Sequence, residues 1–243
     1  MKIAIVTDTH FGVRNDNRII ADHINNFFDE QFFPYIDTMG IDHIIHLGDV
    51  CDRRKYINFV TSSQLEEHLI KPIHNRGINT DMIIGNHDCF YKNTNEINSM
   101  RQLYGHSFYN FNCYWEKPVE KSYAGLKVLL VPWICDDNYE VTMKAIEETD
   151  AQILMGHFEI QGFEMYRGAI NHHGLSKDIF GKFDMVLSGH FHHKSTHSNI
   201  SYLGSPYQMT WSDYNDPRGF HILDTETREL EFIANPCHIF HKL

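Results

Sequence analysis

The stretch Gly85-Asn86-His87-Asp88 presents three different polar groups after an apolar run that is typical of a short buried strand. The amide of Asn86 is a possible metal ligand, the imidazole of His87 can carry a proton, and the carboxylate of Asp88 can orient that imidazole. A Gly-Asn turn with a polar tail also occurs as a simple loop, so the tetrapeptide alone leaves a turn and a site as equal alternatives.

Four further apolar runs end on polar groups of the same kinds. Asp and His residues after a strand commonly cap helices or bond loop amides, so each end taken alone has a structural explanation. Several such ends in one chain instead indicate a shared site. The metal-capable side chains at the strand ends are Asp8, His10, Asp49, Asn86, His87, His157, His190 and His192.

These ligand types indicate the chemistry of the site. Carboxylate, imidazole and amide groups without thiolate suit Mn²⁺, Fe²⁺ or Zn²⁺. Two ions about 3.5–4 Å apart need a bridging carboxylate, and such a pair can clamp a phosphate and activate a water for in-line attack. Asp49, the carboxylate of a Gly-Asp pair, is the natural bridge.

The elements that must position these residues alternate between strands and helices, which predicts an α/β architecture with the site at the carboxyl ends of the strands. We expect strands near 3–7, 43–47, 82–84, 153–155 and 185–187, and a β-rich stretch over 109–133. Helices are expected near 19–39, interrupted at Pro34, near 61–75, capped by Thr61 or Ser62, and near 95–104 and 139–148. Short strands follow residue 198, and the pattern indicates a single domain over 1–243.

Composition excludes several classes of protein. The 243 residues are 42% hydrophobic and 22% charged, as in a globular domain. The net charge of −11 argues against general electrostatic capture of nucleic acid, although metals in an acidic cleft would reverse the local sign. No run is long enough for a membrane span, no signal peptide is evident, and the 5 cysteines form no Cys-x-x-Cys pair. We therefore expect a cytoplasmic protein, in the host cytoplasm if viral, with no membrane partner.

Five motifs occur in the order Asp-x-His, Gly-Asp, Gly-Asn-His-Asp, Gly-His and Gly-His-x-His, and this order resembles that of the calcineurin-like metallophosphoesterases. The resemblance spans nearly the whole chain. It implies a four-layer α/β sandwich in which two mixed β-sheets are flanked by helices. It also implies two metal ions with a shared ligand: Asp8, His10, Asp49 and His192 for the first, and Asp49, Asn86, His157 and His190 for the second.

The histidine of the Gly-Asn-His-Asp motif does not bind metal in that family. The resemblance therefore implies two catalytic residues in this chain. His87 would contact the phosphate and protonate the leaving oxygen, and Asp88 would orient the imidazole of His87.

Within the family, the chain is most similar to the DNA double-strand-break nucleases of the SbcD type, and especially to the phage recombination branch. The similar segments are 8–13, 48–54, 85–93, 132–133, 156–162, 204–206 and 216–220. This likeness implies an enzyme of DNA recombination and repair that degrades duplex ends from the 3′ side and cuts single strands. It also implies Mn²⁺ as the metal, with Mg²⁺, Fe²⁺ or Zn²⁺ as alternatives. The partners would be an SbcC-type ABC ATPase and a second copy, docked through helices beside residues 85–88.

This chain differs from the SbcD-type nucleases in two features, which affect the predicted polarity of digestion and the predicted domain content. Many members have a histidine where this chain has Asp52, which leaves the polarity of digestion open. Relatives also continue into a DNA-capping domain and ATPase-binding helices, which we expect to be absent from this chain. Basic residues near the predicted rim could contact DNA phosphates or could be solvated charges: Arg14, Arg53, Arg54, Lys55, Lys92, Arg167 and Arg218.

Two other functions compete with the nuclease hypothesis. Residues 48–53 partly match the protein serine/threonine phosphatases, which suggests a phosphomonoesterase of protein or small molecules. Those enzymes, however, have Gly and Glu where this chain has Arg54 and Asp88. A catalytically silent, metal-binding scaffold for the ATPase is the third hypothesis, and the intact set of ligands argues against it.

Overall fold

A computed structural model describes residues 1–105, 109, 111–166 and 168–242, and it contains two six-stranded sheets. The strands of the first sheet are β1 (Lys2–Val6), β2 (His43–His46), β3 (Asn79–Ile83), β4 (Phe111–Tyr114), β13 (Gly219–Asp224) and β14 (Leu230–Ala234). Their order is β14–β13–β1–β2–β3–β4. Strands β1 to β4 are parallel neighbours, whereas β13 and β14 are antiparallel, so the sheet is mixed.

The second sheet is mixed as well. Its strands are β5 (Val119–Tyr123), β6 (Leu126–Val131), β7 (Ile153–His157), β10 (Met185–Gly189), β11 (Ser195–His197) and β12 (Ile200–Tyr202). Their order is β11–β12–β10–β7–β6–β5, with parallel pairing from β12 through β6 and antiparallel pairing at both edges. Between β7 and β10 the chain forms a small hairpin of β8 (Glu164–Tyr166) and β9 (Ala169–Ile170).

The α-helices of five or more residues in the described part of the chain are Arg18–Asn26, Phe33–Met39, Phe59–Leu65, Lys71–Asn75, Ser99–Tyr104 and Tyr139–Glu148. The first two are joined by a π-helical segment, Phe27–Phe32, and the next two by another, Glu66–Ile70. Each π segment directly precedes a helix with proline in its first turn, Pro34 or Pro72. Proline lacks an amide hydrogen and crowds the preceding turn, and a wider turn accommodates both defects. The predicted interruption at Pro34 is therefore a change of helix type within a continuous helix.

The start of the second helical segment also differs from the prediction. Asn58, rather than Thr61 or Ser62, caps the helix, because its side chain accepts a hydrogen bond of 2.9 Å from the amide of Val60. Thr61 lies in the first turn, where its hydroxyl donates to Asp16 at 2.6 Å. The prediction failed because a hydroxyl in a first turn and a capping amide have similar local sequence signals.

Three hydrophobic clusters separate four layers. Side chains of β1 alternate between two of them: Ile5 lies between the sheets with Leu130 and Met155, whereas Val6 packs beneath the helices of residues 18–39 and 59–75. A third cluster, which includes Leu154 and Ile146, joins the outer face of the second sheet to the helix Tyr139–Glu148. The predicted four-layer α/β sandwich with two mixed sheets is confirmed.

This layering places five parallel strands so that they end at one edge of the sandwich. Strands β1, β2 and β3 of the first sheet and β7 and β10 of the second run in parallel within their sheets. The loops that follow them carry the polar residues identified in the sequence. In the part of the chain that the structure describes, no helix is long and apolar enough to cross a bilayer.

Candidate metal centre

The predicted ligands lie together at the carboxyl ends of these strands, and four of them have positive φ angles. These are Asp8 (54°), His10 (42°), Asp49 (55°) and His190 (90°). For a residue with a side chain, such a conformation costs about 1–3 kcal/mol and persists only where surrounding contacts hold it. These backbone conformations therefore lower the local stability of the loops, and they direct the side chains into a common space.

The first ligand group contains Asp8, His10 and His192, whose donor atoms lie within 4.8 Å of one another. The Nε2 atoms of the two histidines are 3.0 Å apart. The Oδ1 atom of Asp8 is 3.8 Å from each of them. The backbone amide of His190 also donates to both oxygens of Asp8 at 3.1 Å, which fixes the carboxylate between the sheets.

The second group contains Asp49, His157 and His190, with the amide of Asn86 beside them. The Oδ1 atom of Asn86 lies 3.1 Å from Nε2 of His157 and 2.9 Å from Nδ1 of His190. The Oδ2 atom of Asp49 is 3.3 Å from Nε2 of His157 and 3.6 Å from Nε2 of His10. Asp49 thus lies between the two groups, as a bridging ligand must.

The pKa values of the four histidine ligands differ in direction: two are lowered and two are raised. Burial and the neighbouring His157 lower the pKa of His190 to about 3, and burial and His10 lower the pKa of His192 to about 4. Burial opposes charge on His10 as well, but Asp52 and Asp8 raise its pKa to about 10. Asp49 likewise overcomes burial and raises the pKa of His157 to about 9.

The pKa values of the two carboxylate ligands, Asp8 and Asp49, are both lowered. Burial would keep Asp8 protonated, but its hydrogen bond with His10 and the charge of His157 hold its pKa below the ordinary value. Burial has the same effect on Asp49, and the charge of His157 again lowers the pKa. Two buried carboxylates therefore face two imidazoles whose pKa values they raise. A divalent cation can replace the protons on these imidazoles, and the mixed oxygen and nitrogen donors fit such an ion.

Contacts behind the ligands fix their orientation. The Nδ1–H group of His157 donates to the carbonyl of Leu47 at 2.7 Å, which directs Nε2 toward the centre. Nδ1 of His46 accepts from the amide of Gly48 at 3.2 Å, and its Nε2 lies 3.1 Å from the hydroxyl of Thr9. His46 thereby connects the loops after β1 and β2. His46 was not among the predicted site residues, because its only signal in the sequence is a histidine within an apolar strand.

His87 lies at the side of the first group. Its ring centroid is 4.8 Å from that of His10, with the two planes at 88°. Its Nδ1–H group donates to the backbone carbonyl of Asp52 at 2.6 Å, so a proton transferred to another group must leave from Nε2. The carboxylate of Asp52 contacts Nδ1 of His10 at 3.4 Å. Asp52 therefore contacts both histidines, His87 through its backbone carbonyl and His10 through its carboxylate.

The structure corrects the predicted contact of Asp88 with the His87 imidazole. The carboxylate of Asp88 is buried and accepts from the amides of Val50 at 3.0 Å, Cys51 at 3.1 Å and Gly85 at 2.9 Å. The hydroxyl of Ser99 adds a bond of 3.1 Å. Adjacent side chains in a tight turn point in different directions, so neighbours in sequence need not touch. Asp88 joins the loop after β2 to the loop after β3, and it supports His87 only through that loop.

Gly85 is required by the closeness of these two loops. A Cβ atom at this position would overlap Oδ1 of Asp49 and would lie 2.6 Å from the Asp49 amide nitrogen. The close approach allows the His87 amide to donate to Oδ1 of Asp49 at 2.8 Å. The glycine of the motif thus serves the bridging carboxylate.

Three of the basic residues expected at the rim have internal partners. Arg53 pairs with Asp16 at 2.5 Å, and Arg54 donates to the carbonyls of Cys89 at 2.8 Å and Tyr91 at 2.6 Å. Arg218 is 4% exposed and pairs with buried carboxylates, which fits neither a solvated charge nor a surface contact with DNA. Among the basic residues predicted at the rim, Arg14, Lys55 and Lys92 are exposed. Arg167 lies outside the described residues.

Comparison with known proteins places this centre in a family. The sequence matches the calcineurin-like phosphoesterase family over residues 1–194. Exonuclease subunit 1 of Enterobacteria phage T4 is 36% identical over 236 residues, which cover 97% of this chain and 68% of the phage protein. The D subunit of nuclease SbcCD from Staphylococcus epidermidis is 24% identical over 257 residues, covering 95% of this chain and 67% of that protein.

The solved structures that match the chain are more distant in sequence. A novel archaeal phosphodiesterase has a TM-score of 0.45 with 14% identity, over 97% of this chain and 100% of its own. A hypothetical protein from Thermus thermophilus has a TM-score of 0.47 with 14% identity and the same coverage. The sequence matches, rather than these scores, therefore carry the assignment: the chain belongs to the calcineurin-like phosphoesterase family.

Proposed function

We propose that this chain is the catalytic domain of a DNA nuclease that hydrolyses phosphodiesters with two divalent metal ions. The observation that carries the proposal is the position of Asp49 Oδ2 between two ligand groups, with the ring of His87 beside them. Mn²⁺ is the metal that we favour, because the resemblance to the SbcD-type nucleases implies it. The carboxylate, imidazole and amide donors suit Mn²⁺ and also suit Fe²⁺ and Zn²⁺. Asp8, His10, Asp49 and His192 would hold one ion, and Asp49, Asn86, His157 and His190 the other.

The residues of the chain have separate tasks in this reaction. When bound, such metal ions clamp a phosphate and activate a water for in-line attack. His87 is the general acid: the Asp52 carbonyl holds its Nδ1–H group, and Nε2 delivers a proton to the leaving oxygen. Asp88 keeps the His87 loop against the Asp49 loop through its bonds to backbone amides. Neither of these residues is required to bind metal.

DNA is the substrate that the relatives favour. The phage relative is named an exonuclease subunit, and the staphylococcal relatives are named nuclease subunits. We propose 3′ to 5′ exonuclease and single-strand endonuclease activity in DNA recombination and repair. The cytoplasm, of the host if the protein is viral, is the expected compartment. Exposed Arg14, Lys55 and Lys92 are the candidates for contacts with DNA phosphates.

We also propose two protein partners. The relatives are named as subunits, which supports an SbcC-type ABC ATPase as the partner of this domain. A second copy of the chain is the other partner. Its support is a set of exposed apolar side chains in the segments that follow β2 and β3. Tyr56 is 65%, Phe59 93%, Val60 64% and Ile97 41% exposed, and Tyr56 and Ile97 border the same cavity. We call these four residues the apolar patch.

One experiment separates the nuclease from its alternatives. The protein is incubated with Mn²⁺ or EDTA and offered bis-(p-nitrophenyl) phosphate, the corresponding monoester, and duplex DNA labelled at the 3′ or 5′ end. We expect diester and DNA cleavage with Mn²⁺, reduced about 10²–10⁴-fold in His87→Ala. That variant should still bind Mn²⁺, and the exposed His172→Ala should retain activity.

The other outcomes identify the alternatives. Turnover of the monoester alone would contradict the nuclease proposal and favour a phosphomonoesterase. Metal binding without turnover of any substrate would favour a scaffold for the ATPase. Release of label from the 5′ end first would overturn the proposed polarity while leaving hydrolysis intact.

A further inference from the structure

Arg218 occupies the centre of a buried polar network directly behind the loop that carries His192. Its Nη1 atom donates to the backbone carbonyl of His192 and, at 2.6 Å, to the hydroxyl of Ser205. Its Nη2 atom is 2.8 Å from a carboxylate oxygen of Asp213 and 2.8 Å from one of Asp216. A planar guanidinium can satisfy all these acceptors at once, which an ammonium cannot.

The two carboxylates are themselves fixed. The second oxygen of Asp213 accepts from the amides of Met209 at 2.8 Å and Thr210 at 2.9 Å. Asp216 accepts from Nδ1 of His193 at 2.9 Å, and His193 is the neighbour of His192. The network therefore holds the His192–His193 backbone from two sides. Its charges are internally paired, so Arg218 offers no free positive charge to DNA.

The same network continues to the other ligands of the first group. The Ser205 amide donates to the His192 carbonyl at 3.1 Å, and the Ser205 hydroxyl donates to the carbonyl of Tyr207 at 3.0 Å. The hydroxyl of Tyr207 donates to the carbonyl of Thr9, the residue between Asp8 and His10. The backbones of all three ligands of the first group are thereby linked.

His192 needs such support more than the other members of its group. Its side chain is 34% exposed, whereas those of Asp8 and His10 are 0% and 1% exposed and are held by packing. A cavity of about 210 Å³ borders His192, and Met165 and Tyr166 of the β8–β9 hairpin line it as well. The cavity leaves room for the imidazole to move away, so the anchored backbone determines where the ring points.

We propose that Arg218 is a positioning residue that keeps His192 in place for metal binding by the first group. This inference rests on the proposed metal centre. Arg218 acts through the His192 carbonyl and contacts neither substrate nor metal. Losses of contacts behind a metal ligand typically weaken metal affinity about 10–100-fold.

The test compares Arg218→Lys with the wild-type chain and with Arg228→Lys. Lysine keeps the positive charge but loses the two-pronged donor. Arg228 is a suitable control because it also pairs with an aspartate, Asp184, but is 46% exposed. The measurements are Mn²⁺ titrations followed by electron paramagnetic resonance and the Mn²⁺ dependence of bis-(p-nitrophenyl) phosphate hydrolysis.

We expect Arg218→Lys to retain one Mn²⁺ site of wild-type affinity and to bind at the other about 10–100-fold more weakly. Half-maximal activity should need correspondingly more Mn²⁺, while kcat at saturating Mn²⁺ stays within a few-fold of wild type. Two unchanged Mn²⁺ sites in Arg218→Lys would overturn the proposal. If the wild-type chain bound no Mn²⁺, the proposed metal centre itself would fail.

Circular dichroism verifies that the variant is folded. Should Arg218→Lys not fold, Asp216→Asn replaces it in the same titrations, because it removes one carboxylate partner and leaves the guanidinium in place. We expect the same selective weakening of one Mn²⁺ site in Asp216→Asn. Wild-type affinity at both sites in that variant would contradict the positioning role.

Discussion

Asp88 shows how a single buried carboxylate can support catalysis without touching a reacting group. It accepts hydrogen bonds from the amides of Val50, Cys51 and Gly85 and from the hydroxyl of Ser99. Bonds from neutral donors to a charged acceptor contribute about 1.5–3 kcal/mol each. Asp88 therefore acts as a brace between two loops, one carrying Asp49 and the other carrying His87.

Replacement of Asp88 by asparagine tests this role. An amide offers one acceptor oxygen where the carboxylate offers two, and its NH₂ group would face backbone donors. We expect Asp88→Asn to lower the free energy of unfolding by about 2–4 kcal/mol and also to lower kcat. Urea unfolding of the variant measures the first effect. A large loss of kcat at unchanged stability would instead indicate a direct role in orienting His87, and Ser99→Ala, expected to cost only about 1 kcal/mol, is the control.

At the scale of the elements, Asp81 joins strands from both sheets. It lies on β3 and is 1% exposed, and its carboxylate contacts His43 of β2 at 3.2 Å and the hydroxyl of Tyr114 of β4 at 2.9 Å. The hydroxyl of Tyr123, on β5 of the second sheet, donates to it at 2.7 Å. Burial alone would raise the pKa of Asp81, but the bonds from His43 and Tyr123 lower it below the ordinary value. A polar contact thus fixes the relative position of two apolar layers.

The lowered pKa of Asp81 predicts a pH-dependent contribution to stability. The contribution is present above the unfolded-state pKa of about 3.9 and is lost as the pH falls below that value toward the folded-state pKa. We expect Asp81→Asn to be about 2–3 kcal/mol less stable than wild type at pH 7. This difference should shrink in urea unfolding experiments below about pH 4. A stability difference that is constant with pH would contradict the prediction. The control is the exposed Asp22→Asn, whose stability should not differ from that of wild type.

At the scale of the whole molecule, the candidate centre is assembled from both sheets. Asp8, Asp49 and Asn86 follow strands of the first sheet, whereas His157 and His190 end or follow strands of the second. Neither sheet alone carries a complete ligand set. Metal binding is therefore coupled to the packing of the two sheets, because an ion held by both stabilises their association.

Mn²⁺ should consequently raise the thermal stability of the chain. At a Mn²⁺ concentration of about 100 times Kd, each site contributes about 2.7 kcal/mol. For a chain of this size, one such site corresponds to a rise in Tm of about 5–10 °C. Differential scanning calorimetry with Mn²⁺ and with EDTA measures the rise. The rise in Tm should be lost in Asp49→Asn, which alters the shared ligand, and kept in the control His172→Ala. A rise of wild-type size in Asp49→Asn would exclude Asp49 as the bridge.

The proposed homodimer belongs to the same scale. Burial of the 93% exposed Phe59 against a second copy would remove apolar area from water, at about 25 cal/mol per Å². We expect Phe59→Asp to shift the chain from dimer to monomer in sedimentation velocity runs over a range of concentrations. Tyr139→Asp alters a 48% exposed residue on another helix and should leave the dimer intact. A wild-type chain that stays monomeric at high concentration would disprove the proposed dimer.

The resemblance to a known family implied the four-layer sandwich. The amino-acid sequence by itself determined the succession of strands and helices along the chain, the α/β class of fold and the identities of the candidate ligands. These properties depend on local patterns, since an apolar run that ends on Gly-Asp or Gly-His keeps that signature in any surroundings. The helix Tyr139–Glu148 was likewise predictable from its local periodicity. Even for the helix that begins at Phe59, the predicted caps Thr61 and Ser62 lie only a few residues after the observed cap, Asn58.

Only the tertiary structure decided which charged residues are free and which are structural. Arg218 meets a carbonyl 26 residues away, and Asp88 meets amides 37 and 38 residues away. Such partners come from different strands, and their distance depends on how the sheets pack rather than on neighbouring residues. A buried charge is stable only when such partners are in place, so the same arginine can bind DNA at a surface or hold a metal ligand from within.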